Sequence, residues 1–519
     1  MSPIHHLREE KPKRHLPVWL GLCLVLTLAA GPRAWAAEDR ARAPMNVILI
    51  VTDDLGISDL GVYGSDYYRT PRLDRLAAEG MRFTNAYAAS SICSPTRAAL
   101  LTGRYPHRVH LTDSLPWDRL PENPRLVPPD HHKELPASHA TYAQSLRAAG
   151  YRTGLIGKWH LGNEHEFFAG GKHRDYGFDE SYDTDYGQIN NVDKGVEVLT
   201  EKSLAFIESN RDRPFLLALH HHTPHVPLAV PAGYESRYDN VPPGKRHNNK
   251  KYAGMMSHLD DAVGRLLDKL DELKLADNTV VIFASDNGGF HGETSNLPYR
   301  NGKATLHEGG IRVPLIVRWP GVVKPGSVCD GVTISTDFFP TILDAAGLPR
   351  QPEAHLDGQS LLPWLRGETP DRSRALYWHV PHYRNRGPQS AVRDGDWKLV
   401  HNLEPDTYEL YDLANDPGEA NDLAAQQPDK TKELAAQLES HLNATGAQRM
   451  RPNPEWEAGR PLGRVWDMGT HYPKQGGTHR VVTDRDYPAW FRHAEPARTE
   501  IEKVPANADS AAGEEPTGP

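Results

Sequence analysis

The chain has 519 residues, a formal net charge of −9 and only three cysteines. This length is enough for a large buried core and a second, smaller unit, and the acidic balance disfavours nucleic acid as a partner. The few cysteines exclude a scaffold held together by disulfides, so packing must stabilise the core.

The amino-terminal segment has the pattern of an export signal. Basic residues between positions 8 and 14 precede a mostly apolar run from Val18 to Ala30, and Ala34-Trp35-Ala36 then offers a small-residue cleavage site. The apolar run is too short to span a bilayer. We therefore expect residues 1–36 to be removed and the mature protein to be periplasmic or secreted, without stable membrane insertion.

Several later segments are short apolar runs that end abruptly in polar residues. Because these runs are apolar on both faces, they are typical of strands in a buried parallel sheet. Between them, helical spacing of apolar residues predicts helices at 73–79 and 252–273. The alternation predicts an α/β fold with a large, mostly parallel sheet sandwiched by helices. The predicted strands are 46–51, 151–156, 215–219, 279–284 and 314–317.

Polar clusters follow four of these strands, and in such a sheet ligands bind beyond the carboxyl ends of the strands. Each cluster alone is equally typical of a helix cap or a turn. Together at one sheet edge, Asp53, Asp54, Asp286 and Asn287 offer hard oxygen ligands suited to Ca²⁺ or Mg²⁺. The clusters are Thr52-Asp53-Asp54, Gly157-Lys158-Trp159-His160, Thr223-Pro224-His225 and Ser285-Asp286-Asn287.

The run of three histidines at 220–222 does not indicate a zinc site. The side chains of His220, His221 and His222 alternate between the two faces of a strand, so they cannot all bind one ion. At most one of them is expected near the pocket. The pair His131-His132 is expected to be solvated.

Residues 93–104 read Cys-Ser-Pro-Thr-Arg-Ala-Ala-Leu-Leu-Thr-Gly-Arg. By itself, Cys93 is equally well interpreted as a buried, inert thiol. The pattern Cys-x-Pro-x-Arg followed by Leu-Thr-Gly-Arg, however, resembles the sulfatase signature. In that family the cysteine is oxidised to formylglycine, an aldehyde that hydrates to a geminal diol.

The resemblance extends from about residue 45 to 347. Over this range the chain is similar to the formylglycine-dependent type I sulfatases of the alkaline phosphatase superfamily, and most similar to arylsulfatase A and the N-acetylgalactosamine sulfatases. The motifs also occur in the family's order. Besides the Cys93 run they are Thr52-Asp53-Asp54, Gly157-Lys158-Trp159-His160-Leu161-Gly162, Thr223-Pro224-His225, Ser285-Asp286-Asn287-Gly288-Gly289, Gly302-Lys303 and Glu308-Gly309-Gly310.

The resemblance implies a role for each matching residue. A divalent cation, Ca²⁺ with Mg²⁺ as the alternative, would be bound by the oxygen derived from position 93 and by four side chains. A formylglycine-generating enzyme would be a partner during maturation. The implied metal ligands are Cys93, Asp53, Asp54, Asp286 and Asn287, and the residues implied to surround the sulfate and the diol are Arg97, Lys158, His160, His225 and Lys303.

The implied chemistry is hydrolysis of a sulfate monoester. Asp286 would take a proton from one diol hydroxyl, which attacks sulfur, and His225, with Lys303 nearby, would protonate the leaving oxygen. His160 would then deprotonate the second hydroxyl and so release sulfate. The cation and the basic side chains would stabilise the developing charge.

Three alternatives differ in what happens at position 93. A two-metal phosphatase of the same superfamily needs a serine or threonine nucleophile, and Cys93 and Asn287 disfavour it. A formylglycine-dependent phosphonate or phosphodiester hydrolase stays open because tetrahedral phosphorus and sulfur anions are similar. A non-catalytic protein that binds sulfated glycans would keep the basic pocket without forming the aldehyde.

The composition and the predicted secondary structure change after residue 347. We predict a catalytic domain at 44–347, a smaller subdomain at 348–445, an irregular wrap at 446–495 and a disordered tail at 496–519. The strands predicted for the subdomain's small antiparallel sheet are 375–379, 390–393, 397–401 and 408–413, with a helix at 429–440.

Substrate choice is the finest prediction. The resemblance to arylsulfatase A and the N-acetylgalactosamine sulfatases implies a sulfated galactose or N-acetylgalactosamine unit. The loops at 107–117, 182–191 and 291–300 are expected to select it. The segment His379 to Arg384, with His382 and Tyr383, either reaches a sugar at the pocket rim or forms an exposed loop.

Overall fold

The computed structural model describes residues 45–115, 120–184, 192–369, 373–385 and 387–462. The predicted export signal and the tail at 496–519 lie outside these ranges, as do residues 463–495 of the expected wrap. Among the described helices, none combines the length and the apolar composition that a bilayer span requires.

The elements are numbered in chain order. The strands are β1 (Asn46–Asp53), β2 (Met81–Tyr87), β3 (Leu126–Val127), β4 (Arg152–Gly157), β5 (Glu180–Tyr182), β6 (Phe215–Pro224), β7 (Thr279–Ser285), β8 (Leu315–Arg318), β9 (Ser327–Ile334), β10 (Leu376–Val380), β11 (Gln389–Asp394), β12 (Trp397–Asn402), β13 (Thr407–Asp412) and β14 (Arg451–Pro452). The α-helices are α1 (Pro71–Glu79), α2 (Cys93–Thr102), α3 (Pro106–Val109), α4 (Tyr142–Ala148), α5 (Glu164–Phe168), α6 (Val196–Ser209), α7 (Ala232–Glu235), α8 (Lys250–Glu272), α9 (Glu308–Ile311), α10 (Phe338–Ala345), α11 (Leu362–Leu365) and α12 (Pro428–Ala444).

The main sheet is mixed but mostly parallel, as predicted. Its strand order is β5-β4-β6-β1-β7-β8-β2-β9. Neighbours from β5 to β7 are all parallel, whereas β8 runs antiparallel to both β7 and β2. All five predicted strands are present, and β6 continues to Pro224 through the three histidines. Apolar patterning predicts that a strand is buried but not its direction, so the reversal of β8 was not predictable.

The central strand shows why the sheet is buried on both faces. Val47, Leu49 and Val51 of β1 pack into one apolar cluster, and Ile48 and Ile50 pack into the other. Helix α8 covers the second face with a row of leucines, and α10 contributes to the first. The helices therefore sandwich the sheet, and polar side chains can gather only at its edges.

A second, four-stranded antiparallel sheet has the order β10-β11-β12-β13. One face packs against α12, where Leu434, Leu438 and Leu442 join a small core. The other face contributes Trp378 and Tyr411 to an apolar cluster shared with residues of the main sheet region. The predicted small sheet and its helix are confirmed.

Candidate active site

The carboxyl ends of four neighbouring strands, β4, β6, β1 and β7, meet at one edge of the main sheet. Asp53 closes β1, and the backbone N–H of Asp54 donates to Asp286 Oδ1 at 3.2 Å. The backbone N–H of Leu55 donates to Ser285 Oγ at 3.0 Å. The loops after β1 and β7 are therefore bonded directly to each other, and the predicted convergence is confirmed.

Cys93 opens helix α2 and reaches the same edge. Its Sγ lies 3.4 Å from Asp53 Oδ1 and 3.9 Å from Asp54 Oδ1, and the residue is only 2% exposed. Arg97 comes four residues later, so both side chains lie on one face of the helix. Pro95 is tolerated because it lies in the first turn. The Cys-x-Pro-x-Arg spacing thus presents both side chains to the carboxylates.

Burial suppresses ionisation of this thiol. It raises the pKa of Cys93 to about 12, although Lys158 and Lys303 act in the opposite direction. The thiolate is the nucleophilic form of cysteine. The unmodified side chain is therefore a weak nucleophile at neutral pH.

Two lysines pair with the carboxylates next to Cys93. Lys158 Nζ is 2.6 Å from Asp53 Oδ2, and Lys303 Nζ is 2.6 Å from Asp54 Oδ1. All four side chains are at most 4% exposed. Such close, buried pairs place the two ammonium groups near the Cys93 thiol, on whose ionisation both act.

Arg97 forms the third buried pair. Its Nη2 is 2.8 Å from Asp286 Oδ2, its Nε donates to the same oxygen at 2.9 Å, and its Nη1 donates to the Lys158 carbonyl at 3.2 Å. Arg97 therefore orients Asp286 and the Lys158 backbone. The three cations and three carboxylates cancel in formal charge.

The carboxylates differ in how well these cations compensate their burial. Burial alone would raise the pKa of Asp53, but Lys158 and other nearby cations hold it well below its usual range. Burial raises the pKa of Asp54, and it raises that of Asp286 to about 6 against the lowering effect of Arg97. For Asp54 and Asp286, the nearby cations therefore do not fully offset the cost of burying a negative charge.

The residues fit a divalent cation. Asn287 donates from Nδ2 to Asp54 Oδ1 at 2.8 Å, while its Oδ1 is buried with no hydrogen-bond partner among the described residues. Ligand atoms of Asp53, Asp54, Cys93 and His225 lie within 4.8 Å of one another. Carboxylate and amide oxygens are the ligands that Ca²⁺ and Mg²⁺ prefer. A divalent ion would give the cluster a net positive charge, which favours an anionic substrate.

His160 is held with one nitrogen available. It has a left-handed backbone (φ 56°), and its Nε2–H donates to the Leu115 carbonyl at 2.7 Å. Its Nδ1 is buried without a partner in the described part of the chain. The hydrogen bond at Nε2 leaves the lone pair on Nδ1, so His160 can accept a proton there.

His225 presents the other nitrogen. Its Nδ1–H donates to the Val226 carbonyl at 2.5 Å, and its Nε2 lies 3.6 Å from Asp54 Oδ2. The nitrogen that faces the cluster is therefore Nε2. His160 and His225, predicted from separate motifs, are both brought to the carboxylate cluster by the structure.

Sequence reasoning missed Lys194. This lysine is 1% exposed, and burial lowers its pKa to about 8, with Asp53 and Lys158 among the charges that act on it. It lies in a polar stretch without a motif, so no signal pointed to it. Nearby, His222 pairs with Asp183 at 2.9 Å, and His220 Nδ1–H donates to the Lys158 carbonyl at 3.1 Å.

The small sheet holds the loop that carries Lys303. Lys398 on β12 is fully buried between Glu308 and Glu419, at 2.9 and 2.8 Å. The Leu306 N–H donates to Gln389 Oε1 on β11 at 3.0 Å. The loop is therefore positioned by residues from outside the main sheet.

Two expectations about other histidines were wrong. His132 is exposed as predicted, but His131 is only 8% exposed because it packs against His382 with ring centroids 5.0 Å apart. The exposed-loop interpretation of the segment after β10 is wrong as well, because His382, Tyr383 and Arg384 are all buried. These residues lie outside any run of apolar residues with helix or strand spacing, so no pattern indicated that they are buried.

A model of the Sulfatase family matches residues 45–348, more than half of the chain. The chain belongs to the sulfatase family. A second model, described as N-sulphoglucosamine sulphohydrolase, C-terminal, matches residues 301–448 of this sulfatase. The resemblance inferred from the Cys93 motif is confirmed, and the protein is a sulfuric ester hydrolase of the arylsulfatase-like type.

Curated relatives and a solved structure agree with this assignment. Human arylsulfatase A is 33% identical, covering 80% of this chain and 89% of its own. Human N-acetylgalactosamine-6-sulfatase is 32% identical, covering 78% and 87%. The crystal structure of Ps i-CgsB in complex with k-i-k-neocarrahexaose has a TM-score of 0.67 and 28% identity, covering 80% of this chain and 95% of that one.

Proposed function

We propose that this sulfatase removes sulfate from a sulfated glycan, using formylglycine made from Cys93 and a divalent cation bound by Asp53, Asp54, Asp286 and Asn287. The observation that carries the proposal is the placement of Cys93 Sγ 3.4 Å from Asp53, in a buried cluster where Asn287 Oδ1 has no described partner. The cation is Ca²⁺, with Mg²⁺ as the alternative.

Formylglycine at position 93 would, as its hydrate, supply a nucleophilic oxygen, and a cation held by Asp53, Asp54, Asp286 and Asn287 would supply positive charge. Lys158 and Lys303 flank the same position and stabilise negative charge on the sulfate oxygens. Arg97 keeps Asp286 and the Lys158 backbone in place.

The remaining side chains move protons. Asp286 Oδ1 accepts from the Asp54 N–H and Oδ2 accepts from Arg97 Nε, and these bonds hold the carboxylate at the cluster. Asp286 is the proposed first proton acceptor. His160 accepts a proton at Nδ1 in the release step, because its Nε2–H is held by the Leu115 carbonyl. Lys303 and His225 are the proposed donors to the leaving oxygen. Because the Nδ1–H of His225 is held by the Val226 carbonyl, His225 donates through Nε2 only as the imidazolium, whereas Lys303 donates from its ammonium.

The substrate class rests on the relatives. One is named N-acetylgalactosamine-6-sulfatase, and a similar structure was solved with a neocarrahexaose. We therefore propose a sulfated galactose or N-acetylgalactosamine unit. The export pattern at 1–36 supports a periplasmic or secreted enzyme that meets such glycans outside the cytoplasm and requires a formylglycine-generating enzyme during production. The division into a catalytic domain at 44–347 and a smaller unit at 348–445 is part of the same proposal.

The test is sulfate release from defined sulfated mono- and disaccharides by protein co-produced with a formylglycine-generating enzyme. We expect release from a galactose or N-acetylgalactosamine sulfate, none from the Cys93→Ala variant and retained activity in the Cys329→Ala control. Sulfate release by Cys93→Ala at the wild-type rate would refute the role of residue 93 as the nucleophile. Preferential hydrolysis of a phosphodiester or phosphonate would favour the alternative hydrolase, and the absence of turnover with intact binding would favour a glycan-binding protein.

A further inference from the structure

A second buried cluster of ligating side chains lies outside the catalytic one. Asp113 and His131 belong to the region between α3 and α4, whereas His382 follows β10 of the small sheet. The three residues are 5%, 8% and 4% exposed. One carboxylate oxygen and one nitrogen from each ring lie within 4.8 Å of one another. Neither the motifs nor the mechanism uses them.

Hydrogen bonds from neighbouring residues fix the orientation of the Asp113 carboxylate and the His382 ring. Asp113 Oδ1 accepts from Arg384 Nε and Nη2 and from the Ser114 N–H, all at 2.8 Å. His382 Nε2 lies 2.9 Å from Thr112 Oγ1. Bonds of this kind orient metal ligands in proteins, because they fix the remote atom and leave the near atom facing the ion.

The two ligand atoms that face each other, Asp113 Oδ2 and His382 Nδ1, have a spacing that suits an ion between them. Asp113 Oδ2 and His382 Nδ1 are 3.6 Å apart. This separation is too long for a hydrogen bond. Two ligands bound to one tetrahedral ion at about 2.0–2.1 Å each are about 3.4 Å apart. Only a small movement would therefore be needed to bind an ion.

We propose that Asp113, His131 and His382 bind a divalent transition cation, with Zn²⁺ as the best fit. Two imidazoles and one carboxylate suit Zn²⁺, whereas Ca²⁺ and Mg²⁺ prefer oxygen ligands alone. Three protein ligands leave the fourth tetrahedral position to water or to a fourth side chain. The site is chemically distinct from the all-oxygen set around Cys93.

Lys133 competes with this cation. Its Nζ lies 3.0 Å from His131 Nε2. The ammonium occupies the lone pair of Nε2 and so keeps the ring proton on Nδ1, which opposes a cation at either nitrogen. Lys133 is exposed, so its ammonium has solvent to move into when the ion binds. The apparent affinity is therefore lower than the ligand set alone would give.

The ion would join the small sheet to the wall of the active site. Two residues after Asp113, the Leu115 N–H donates to Ser94 Oγ at 3.2 Å, and the Leu115 carbonyl accepts from His160 at 2.7 Å. A cation shared by Asp113 and His382 fixes this segment relative to β10. Its role is that of a clamp, and it does not depend on the proposed sulfatase mechanism.

The test is zinc binding by the full chain, produced without a histidine tag. Zn²⁺ is titrated against a chromophoric chelator in excess Ca²⁺, so that the catalytic cluster is occupied. We expect one equivalent of Zn²⁺ per chain. Binding should weaken at least about tenfold in His382→Ala and Asp113→Asn, stay unchanged in His132→Ala, whose residue is exposed, and tighten in Lys133→Met.

Equal zinc affinity in the wild type, His382→Ala and Asp113→Asn would overturn the proposal, as would no binding at all. If these buried variants fail to fold, the zinc affinity of Lys133→Met tests the proposal, because Lys133 is on the surface. An unchanged zinc affinity in Lys133→Met would then contradict the site. Unlike a loss of sulfate release, none of these results bears on the function of Cys93.

Discussion

At the scale of single residues, the site is a set of paired charges. Asp53, Asp54 and Asp286 each face a cation from another part of the chain, although burial still raises the pKa of Asp54 and Asp286. Removing one partner from such a pair strands the other charge, which is more costly than the pair's own contribution. Single substitutions here should therefore affect both function and stability.

Asn287 should set the affinity for the cation. We predict that Asn287→Leu, which keeps the volume but removes the buried Oδ1, raises the Ca²⁺ concentration needed for half-maximal sulfate release by at least about tenfold. Asn287→Asp, which retains an oxygen ligand, is the matched control. Activity measured after chelation and stepwise return of Ca²⁺ gives the two concentrations, and an unchanged Ca²⁺ requirement in Asn287→Leu would remove this residue from the ligand set.

Lys303 should act on the reaction itself. We predict that Lys303→Ala lowers kcat/KM by about 10²–10³, because it removes a charge that stabilises the transition state. The exposed Lys324→Ala is the control. Steady-state kinetics beside thermal unfolding separates the roles. If only the melting temperature falls, Lys303 is a structural residue.

Some site residues were predictable and others were not. Asp53, Lys158, His225 and Asp286 were placed together because each belongs to a polar cluster at the end of an apolar strand, and such clusters meet at one sheet edge. The roles given to Lys158 and His225 came from the resemblance to the sulfatase motifs. Lys194 and His131 lie in polar stretches where nothing in the pattern indicates burial. Their positions depend on tertiary packing.

At the scale of elements, the strands buried on both faces were predicted, whereas some partly exposed strands were missed. β1, β6 and β7 are buried on both faces, and each contains a continuous apolar run, which in β6 ends at Leu219 before three histidines. β2 and β9 were missed because each is partly exposed and mixes polar residues into the strand. A mixed pattern of this kind does not distinguish a strand from a loop.

The contact between the small sheet and the Lys303 loop gives a prediction at this scale. Lys398→Met should lower the free energy of unfolding by about 3–5 kcal/mol, because it leaves Glu308 and Glu419 buried without their shared cation. It should also lower kcat, since Glu308 follows Lys303 in the same loop. Urea unfolding and steady-state kinetics measure the two effects.

The control for Lys398→Met is Lys432→Met on the exposed face of α12. This substitution should change the free energy of unfolding by less than about 0.5 kcal/mol. A loss of less than about 1 kcal/mol in Lys398→Met would mean that the buried triad does not hold the loop.

At the scale of the whole molecule, the fold gathers cations from distant segments beside the buried carboxylates. The chain carries a net charge of −9, yet Lys158, Lys303 and Arg97 are gathered at one sheet edge by three different segments. The alternation of strands and helices was enough to predict this architecture. The contribution of the small sheet to the site was not, because ion pairs such as Lys398 with Glu308 join residues 90 positions apart.

The central claim is that the encoded thiol at position 93 is converted to an aldehyde. Peptide mass spectrometry of active protein, produced with a formylglycine-generating enzyme, tests it most directly. The account predicts that the peptide containing residue 93 has the mass of formylglycine or its hydrate, and that specific activity rises in proportion to the converted fraction. Fully active protein whose residue 93 is still cysteine would contradict it.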